Sequence, residues 1–357
     1  MGNCASVGLG TPHVTPSAIG PHTLRSPVLL APMSGVTDLV FRRLAHGLGA
    51  GLVVSEMIAS EHLAADRHGV RRRAQGRDLE PFVVQLAGCE ARWMAEGARI
   101  AVADLGAEIV DINMGCPARE VTGKLSGSAL MRDLDHATRL VEAVVAAVPA
   151  SVPVTLKMRL GWDRESRNAP ELARRAEACG VSLLTVHGRT RCQYFNGVAD
   201  WGFVREITGA VGIPVVVNGD ILDVASARAA LQASGARAVM VGRGACGAPW
   251  LPARIAAGLA TGCDPGPPAL AEQGAIALAH LEGMLEAQGP DVGLRNARKH
   301  IGWYLAQTLA QTGRPAATVR DWRRRLCTSN DAAFVRAGLA AFYDEAVQGT
   351  QAMEPAA

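Results

Sequence analysis

Eight short apolar runs rich in β-branched residues alternate along this chain with Ala-, Leu- and Arg-rich stretches of helical character. They occupy residues 28–31, 52–55, 82–86, 109–113, 154–158, 183–187, 215–218 and 238–242. Each run is continuously apolar, as a parallel strand covered on both faces must be, and Gly106, Pro153, Gly180, Pro214 and Gly235 mark the approaches to the later ones. Strands alternating with helices build a parallel sheet, and eight such units in roughly 250 residues match a closed (β/α)8 TIM barrel.

The polar residues favour the barrel over an open sheet. Nearly every run ends in reactive or small groups: Pro32-Met33-Ser34, Ser55-Glu56, Gln85, Asn113 to Cys116, Lys157 with Arg159, His187, Asn218-Gly219-Asp220, and Gly242-Arg243. A barrel collects all eight strand ends on one face, whereas an open sheet collects only those at its switch point.

With 49% of its 357 residues hydrophobic, the chain can bury a barrel core and still supply a smaller second domain. After an Ala-rich helix, residues 261–268 read Thr-Gly-Cys-Asp-Pro-Gly-Pro-Pro, a linker by composition. Candidate helices follow at 269–288, 293–311, 316–327 and 331–348, forming a small C-terminal helical bundle. The expected division is therefore a leader over 1–22, a barrel over 23–260 and a helical domain over 269–348. The leader begins Met1-Gly2-Asn3-Cys4-Ala5-Ser6, which fits an acylation pattern, but no polybasic run follows and its Gly, Pro, Ser and Thr content reads as disorder. The 8 cysteines are scattered without C-x-x-C pairs, so neither a disulfide framework nor a zinc site is indicated, and a cytoplasmic protein with no metal and no membrane span is expected. A net charge of +3 is too small to announce a nucleic-acid binder. Its distribution says more: Arg295, Arg298, Lys299, Arg314, Arg320, Arg323, Arg324 and Arg325 face the lone Asp321 in that stretch, suiting either a phosphate-binding surface or a solvated helix face.

Asn218-Gly219-Asp220 and Gly242-Arg243-Gly244 end the seventh and eighth runs, where such barrels hold a phosphate. Glycines admit an anion close to backbone N–H groups, and Arg243 adds a charge-assisted donor. Residues 242–247 also spell G-x-G-x-x-G with Asp264 further on, but Asp264 sits in the linker and not at the end of a second strand, so a dinucleotide fold is rejected. Lys157, converging with Gln85, His187 and Asn218, suits the electron-rich end of a reduced flavin, although His187 reads equally well as a core histidine. Cys116 lies on a Gly/Pro turn beside Asn113, where a protonated thiol serves as a general acid. A Cys116/His187 nucleophilic pair would leave the phosphate and lysine features without a purpose.

Taken in order, Leu30 to Asp38, Val84-Gln85-Leu86, Asp111 to Pro117, Leu156-Lys157-Met158-Arg159, Thr185 to Thr190, Val217 to Asp220 and Met240 to Gly244 resemble the signatures of the tRNA-dihydrouridine synthases, the bacterial B-type branch above all. The resemblance spans roughly Val28 to Tyr343. It implies FMN held by Pro32, Met33, Ser34, Gln85, Lys157, His187, Asn218, Gly219, Asp220, Gly242 and Arg243, with NADPH or NADH as reductant. It further implies Cys116 as proton donor to uracil C5, Asn113, Arg159 and Arg189 toward a tRNA substrate, and a monomeric enzyme. Two departures stand out: the loop Thr190-Arg191-Cys192-Gln193-Tyr194, and the run Lys124-Leu125-Ser126-Gly127-Ser128, which has a serine where a glycine-rich turn is usual. Two other readings share the barrel. A small-molecule flavin reductase of the dihydroorotate or dihydropyrimidine dehydrogenase kind would not need the basic helices, and a non-catalytic flavin- or RNA-binding regulator would not need Cys116.

Overall fold

The computed structural model describes residues 18–351 apart from 68 and 314. Strands β1 (Ala18–Ile19) and β2 (His22–Thr23) form an antiparallel hairpin, so the stretch expected to be unstructured through residue 22 is already ordered at 18. The acylation pattern and the rest of the expected leader lie outside the described residues.

A parallel sheet follows, built from β3 (Val28–Leu30), β4 (Leu52–Val53), β5 (Ile58–Ala59), β6 (Val83–Ala87), β7 (Ile109–Met114), β8 (Val154–Arg159), β9 (Leu183–His187), β10 (Val215–Asn218) and β11 (Ala238–Val241). Its order is β4-β3-β11-β10-β9-β8-β7-β6-β5, so the first barrel strand pairs with the last. The ring closes where Val54, just past β4, bridges Val83 of β6 in parallel. The second run therefore differs from expectation: it is two short strands on either side of a break at residues 54–57. Within the break Ser55 N still donates to Val83 O at 3.2 Å, and Gln85 N donates to Ser55 Oγ at 2.9 Å. A local break of this kind re-aims side chains without opening the sheet.

Alternate residues point inward, and Leu29, Leu52, Val83, Ile109, Leu183, Val216 and Met240 share one buried cluster. Ile19 and Leu24 belong to the same cluster, so the hairpin region plugs the N-terminal mouth. Burying Ile19 completely contributes roughly 1.5–3 kcal/mol. Helices start where the sequence offers a cap: Asp38 accepts from Phe41 N at 3.0 Å ahead of Leu39–Gly47, and Asp223 with Ser226 forms a capping box on Val224–Ser234, which Gly235 ends in the left-handed region.

The chain divides into two compact units, one of residues up to Gly242 with 252–265, the other of 243–251 with residues from 266 on. In the second unit, helices Leu270–Gln288, Pro290–Thr312, Ala316–Thr328 and Ala332–Gln351 pack together. Gly289-Pro290 looks like a separator in sequence, yet the second of these helices starts at Pro290. Proline tolerates that first position because its missing N–H has no intrahelical partner there. Here Tyr304 stacks on Trp250 and shares a hydrogen bond with His280 Nδ1 at 3.0 Å. Among the described residues no helix is long and apolar enough to cross a membrane, and no His/Cys/Asp/Glu group is placed to hold a metal. Cys89, Cys116, Cys179, Cys192, Cys246 and Cys327 are free thiols.

Candidate active site

Polar residues of β6, β7 and β8 form one network. Gln85 Nε2 donates to Asp111 Oδ2 at 2.7 Å, Thr155 Oγ1 donates to Asp111 Oδ1 at 2.5 Å, and Asn113 Nδ2 donates to Gln85 Oε1 at 2.8 Å. Asp111 is buried, and desolvation raises its pKa against the hydrogen bonds of Thr155 and Gln85 and the charge of Lys157. The network orients the Gln85 amide and leaves each of its ends one further hydrogen-bonding position. Neither Asp111 nor Thr155 emerged as a site residue from the sequence. A carboxylate between the apolar Val110 and Ile112 was the available signal.

Asn113 also shapes the loop that carries Cys116. Its Oδ1 accepts from Gly115 N at 3.1 Å and from Cys116 N at 2.9 Å. Ser128 closes the other side, with N and Oγ donating to Cys116 O at 3.0 and 2.8 Å. Gly127 must be glycine: its φ is +59°, and a Cβ would meet Cys116 O at 2.8 Å. Ser128, in the run that departs from the usual glycine-rich turn, thus fixes the Cys116 carbonyl. Burial pushes the half-buried thiol above its ordinary value, while Arg159 and Lys157 pull it back less strongly. It is therefore protonated at neutral pH.

Lys157 pairs in register with Asn113 across β7 and β8, and its Nζ donates to Asn218 Oδ1 at 3.3 Å. Among the described residues no carboxylate lies within ion-pair distance of it. Desolvation first, and Arg159 second, lower its pKa to about 8. Asn218 is held in turn by Nδ2 donating to Met240 O at 2.7 Å. A cation on the barrel rim with donors to spare matches the demand of an anionic or electron-rich flavin ring. Gly242 fits the phosphate end: a Cβ there would have nothing nearer than 3.9 Å, so its backbone is open to a ligand. Pro32, Met33 and Ser34 line the rim after β3 in a turn closed by Met33 N donating to Thr37 Oγ1 at 2.8 Å and by Gly35 N donating to the Glu56 carboxylate.

Other expected ligands are placed differently. Gly219 has φ +113° and is required by packing, because a Cβ would meet the His187 ring at 2.8 Å and Ala199 Cβ at 2.9 Å. The Asp220 carboxylate accepts from Arg189 Nη2 at 2.7 and 2.9 Å and from Ala199 N at 2.8 Å. Arg189, expected at the RNA, is buried, donates to Asn196 O and Gly197 O, and lies 3.4 Å from His187 Nε2. It braces the loop. Arg159 is buried as well: Nε donates to Gly115 O at 2.8 Å and Nη1 to Thr190 O and Tyr194 O at 2.8 Å each, leaving Nη2 as its free donor. Arg243 is exposed and opens a single 3-10 turn, Arg243–Ala245, that belongs to the second unit.

The family model described as dihydrouridine synthase (Dus) matches residues 29–345. A probable tRNA-dihydrouridine synthase of Rhodobacter capsulatus is 55% identical over 305 residues, covering 83% of this chain and 93% of that protein. A probable tRNA-dihydrouridine synthase of Rickettsia conorii is 47% identical, covering 94% and 99%, and tRNA-dihydrouridine synthase B of Xanthomonas campestris is 48% identical, covering 80% and 86%. Among solved structures, the 6-hydroxypseudooxynicotine amine oxidase of Pseudomonas geniculata shares the fold at a TM-score of 0.55 and 14% identity, over 93% of this chain and 66% of its own. On a family match spanning both units and relatives of this identity, the chain belongs to the dihydrouridine synthase family.

Proposed function

We propose that this enzyme is an FMN-dependent tRNA-dihydrouridine synthase that takes electrons from NADPH and reduces the C5–C6 double bond of uridine in cytoplasmic tRNA. The observation that carries the reading is the convergence of Lys157, Asn218, Gln85 and Asn113 with a protonated Cys116 on one rim of a closed barrel. Bound FMN would supply the hydride that enters uracil at C6. Every other demand falls on the chain. Lys157 holds positive charge at the electron-rich end of the ring, with Gln85 and Asn218 completing the hydrogen bonds there. The rim turn of Pro32, Met33 and Ser34 and the open backbone at Gly242 bound the cofactor. Asp220 and His187 act indirectly, by fixing Arg189 and the packing of Gly219.

For the substrate, Asn113 presents Cys116 and Arg159 offers Nη2 as a donor. The Cys116 Sγ–H gives its proton to uracil C5, quenching the negative charge that develops when C6 is reduced. Exposed Arg295, Arg320, Arg323, Arg324 and Arg325 on the helical unit would attract RNA phosphates. The test is direct: purified protein should release FMN on denaturation, oxidise NADPH without oxygen, and form dihydrouridine in tRNA from cells lacking the modification, read by mass spectrometry. Reduction of free pyrimidines with untouched tRNA would replace this reading with the small-molecule one.

A further inference from the structure

Four described non-glycine residues have left-handed backbone, and two of them, Leu125 (φ +56°) and Tyr194 (φ +55°), carry large apolar side chains turned to solvent. Such a conformation disfavours bulky residues, and burial gives nothing back to offset the cost here. Tyr194 and Phe195 are each 41% exposed and meet edge to face with ring centroids 4.8 Å apart. Their loop is not loose. Buried Arg159 holds Tyr194 O, and buried Arg189 holds Asn196 O and Gly197 O.

The same loop is tied to the reacting thiol. Arg159 donates to Gly115 O and to Tyr194 O, each at 2.8 Å, so one guanidinium joins the Cys116 turn to the aromatic pair. Arg191 Nη2 reaches Thr122 Oγ1 at 3.4 Å, joining that loop to the segment bearing Leu125. The surroundings are basic, with Arg119, Lys124 and Arg132 exposed. Aromatic rings on a rigid loop amid cations are what unpaired bases stack on, every base having a π-face and its phosphate a charge.

We propose that Tyr194 and Phe195, with Leu125 on the neighbouring loop, form the platform that stacks on the bases flanking the target uridine in the substrate RNA. This rests on the function proposed above. A flipped-out uridine leaves its neighbours unstacked, and the platform replaces the lost stacking while Arg159 keeps it in register with Cys116.

The experiment uses the full-length enzyme and unmodified tRNA transcripts, either intact or lacking the base on one side of the target uridine. Phe195→Ala and Tyr194→Gly should each raise KM for the intact transcript roughly 5- to 150-fold, with kcat much less affected. Tyr194→Gly should do so with an unchanged or higher melting temperature, since glycine relieves the left-handed backbone. The base-lacking transcript should penalise the parent enzyme but add little to the variants' penalty. Unchanged KM in both variants, or penalties that simply multiply, would overturn the platform alone. Failure of the parent enzyme to make dihydrouridine in the intact transcript would overturn the functional reading and the platform with it.

Discussion

Asn113 Oδ1 accepts from Cys116 N at 2.9 Å, so the amide that touches Gln85 also fixes the backbone that carries the Cys116 thiol. Through Asn113, the end of the Gln85–Asp111 network and the start of the Cys116 loop are one piece.

Cys116→Ala should retain FMN and be reduced by NADPH, while dihydrouridine formation falls roughly 10²- to 10⁴-fold in single-turnover assays. Because burial raises the thiol above 9.0, its acid form persists through neutral pH and is lost only above that value. Loss of activity between pH 6 and 8 that vanishes in Cys116→Ser would contradict this assignment.

Lys157 carries its charge below about pH 8 and loses it as pH rises through that value. FMN affinity, followed by flavin fluorescence, should weaken over the same window. Lys157→Met should cost roughly 10- to 150-fold in FMN affinity at pH 7, from one charge-assisted hydrogen bond. In flavin-free protein the same change should raise the melting temperature, because it removes a cation that the fold desolvates. A lower melting temperature would show that Lys157 supports the apo-barrel instead.

Arg189→Ala should destabilise the barrel by about 3 kcal/mol in denaturant titration, since it strands the Asp220 carboxylate and two loop carbonyls. Proteolysis should then appear first within residues 190–198. A loss under 1 kcal/mol would return Arg189 to a role in substrate contact.

Burial holds His280 down to about 3 and His300 down to about 2, so both are neutral in the folded helical unit. Their ordinary value is 6.5, so below that pH the unfolded chain binds protons that the fold refuses. Stability should fall as pH drops from 6.5 toward 3, by roughly 1.4 kcal/mol per histidine per pH unit. Urea midpoints at pH 7, 6 and 5 check the slope, and His300→Gln should reduce it.

Arg323, Arg324 and Arg325 are exposed on helix Ala316–Thr328, whose Val319, Trp322 and Leu326 are buried. Arg324 reaches Asp321 at 3.2 Å and Arg325 lies 4.4 Å over the Trp322 ring, so neither is wholly free. Replacing all three by Ala should flatten the salt dependence of tRNA binding by roughly 0.7–0.9 in log–log slope per lost phosphate contact. An unchanged slope would make them a solvated face.

What the sequence determined by itself is the set of decisions made by local periodicity and spacing. Each strand run lies within a residue or two of its expected place, because short, mostly apolar runs rich in β-branched residues and bounded by Gly or Pro suit strands covered on both faces. The convergence of Gln85, Asn113, Cys116, Lys157 and Asn218 follows from the same logic, since a closed barrel brings all strand ends together. The partners each side chain chose were not legible. Asp220 and Arg189 carry the charges expected of phosphate and RNA ligands, yet they sit on adjoining strand ends close enough to satisfy each other. The break at residues 54–57 and the left-handed turns at Leu125 and Tyr194 are likewise invisible in composition. Only tertiary structure decides them, because a buried hydrogen-bonding group must be satisfied by whatever the closed ring places beside it, and that neighbour comes from dozens of residues away.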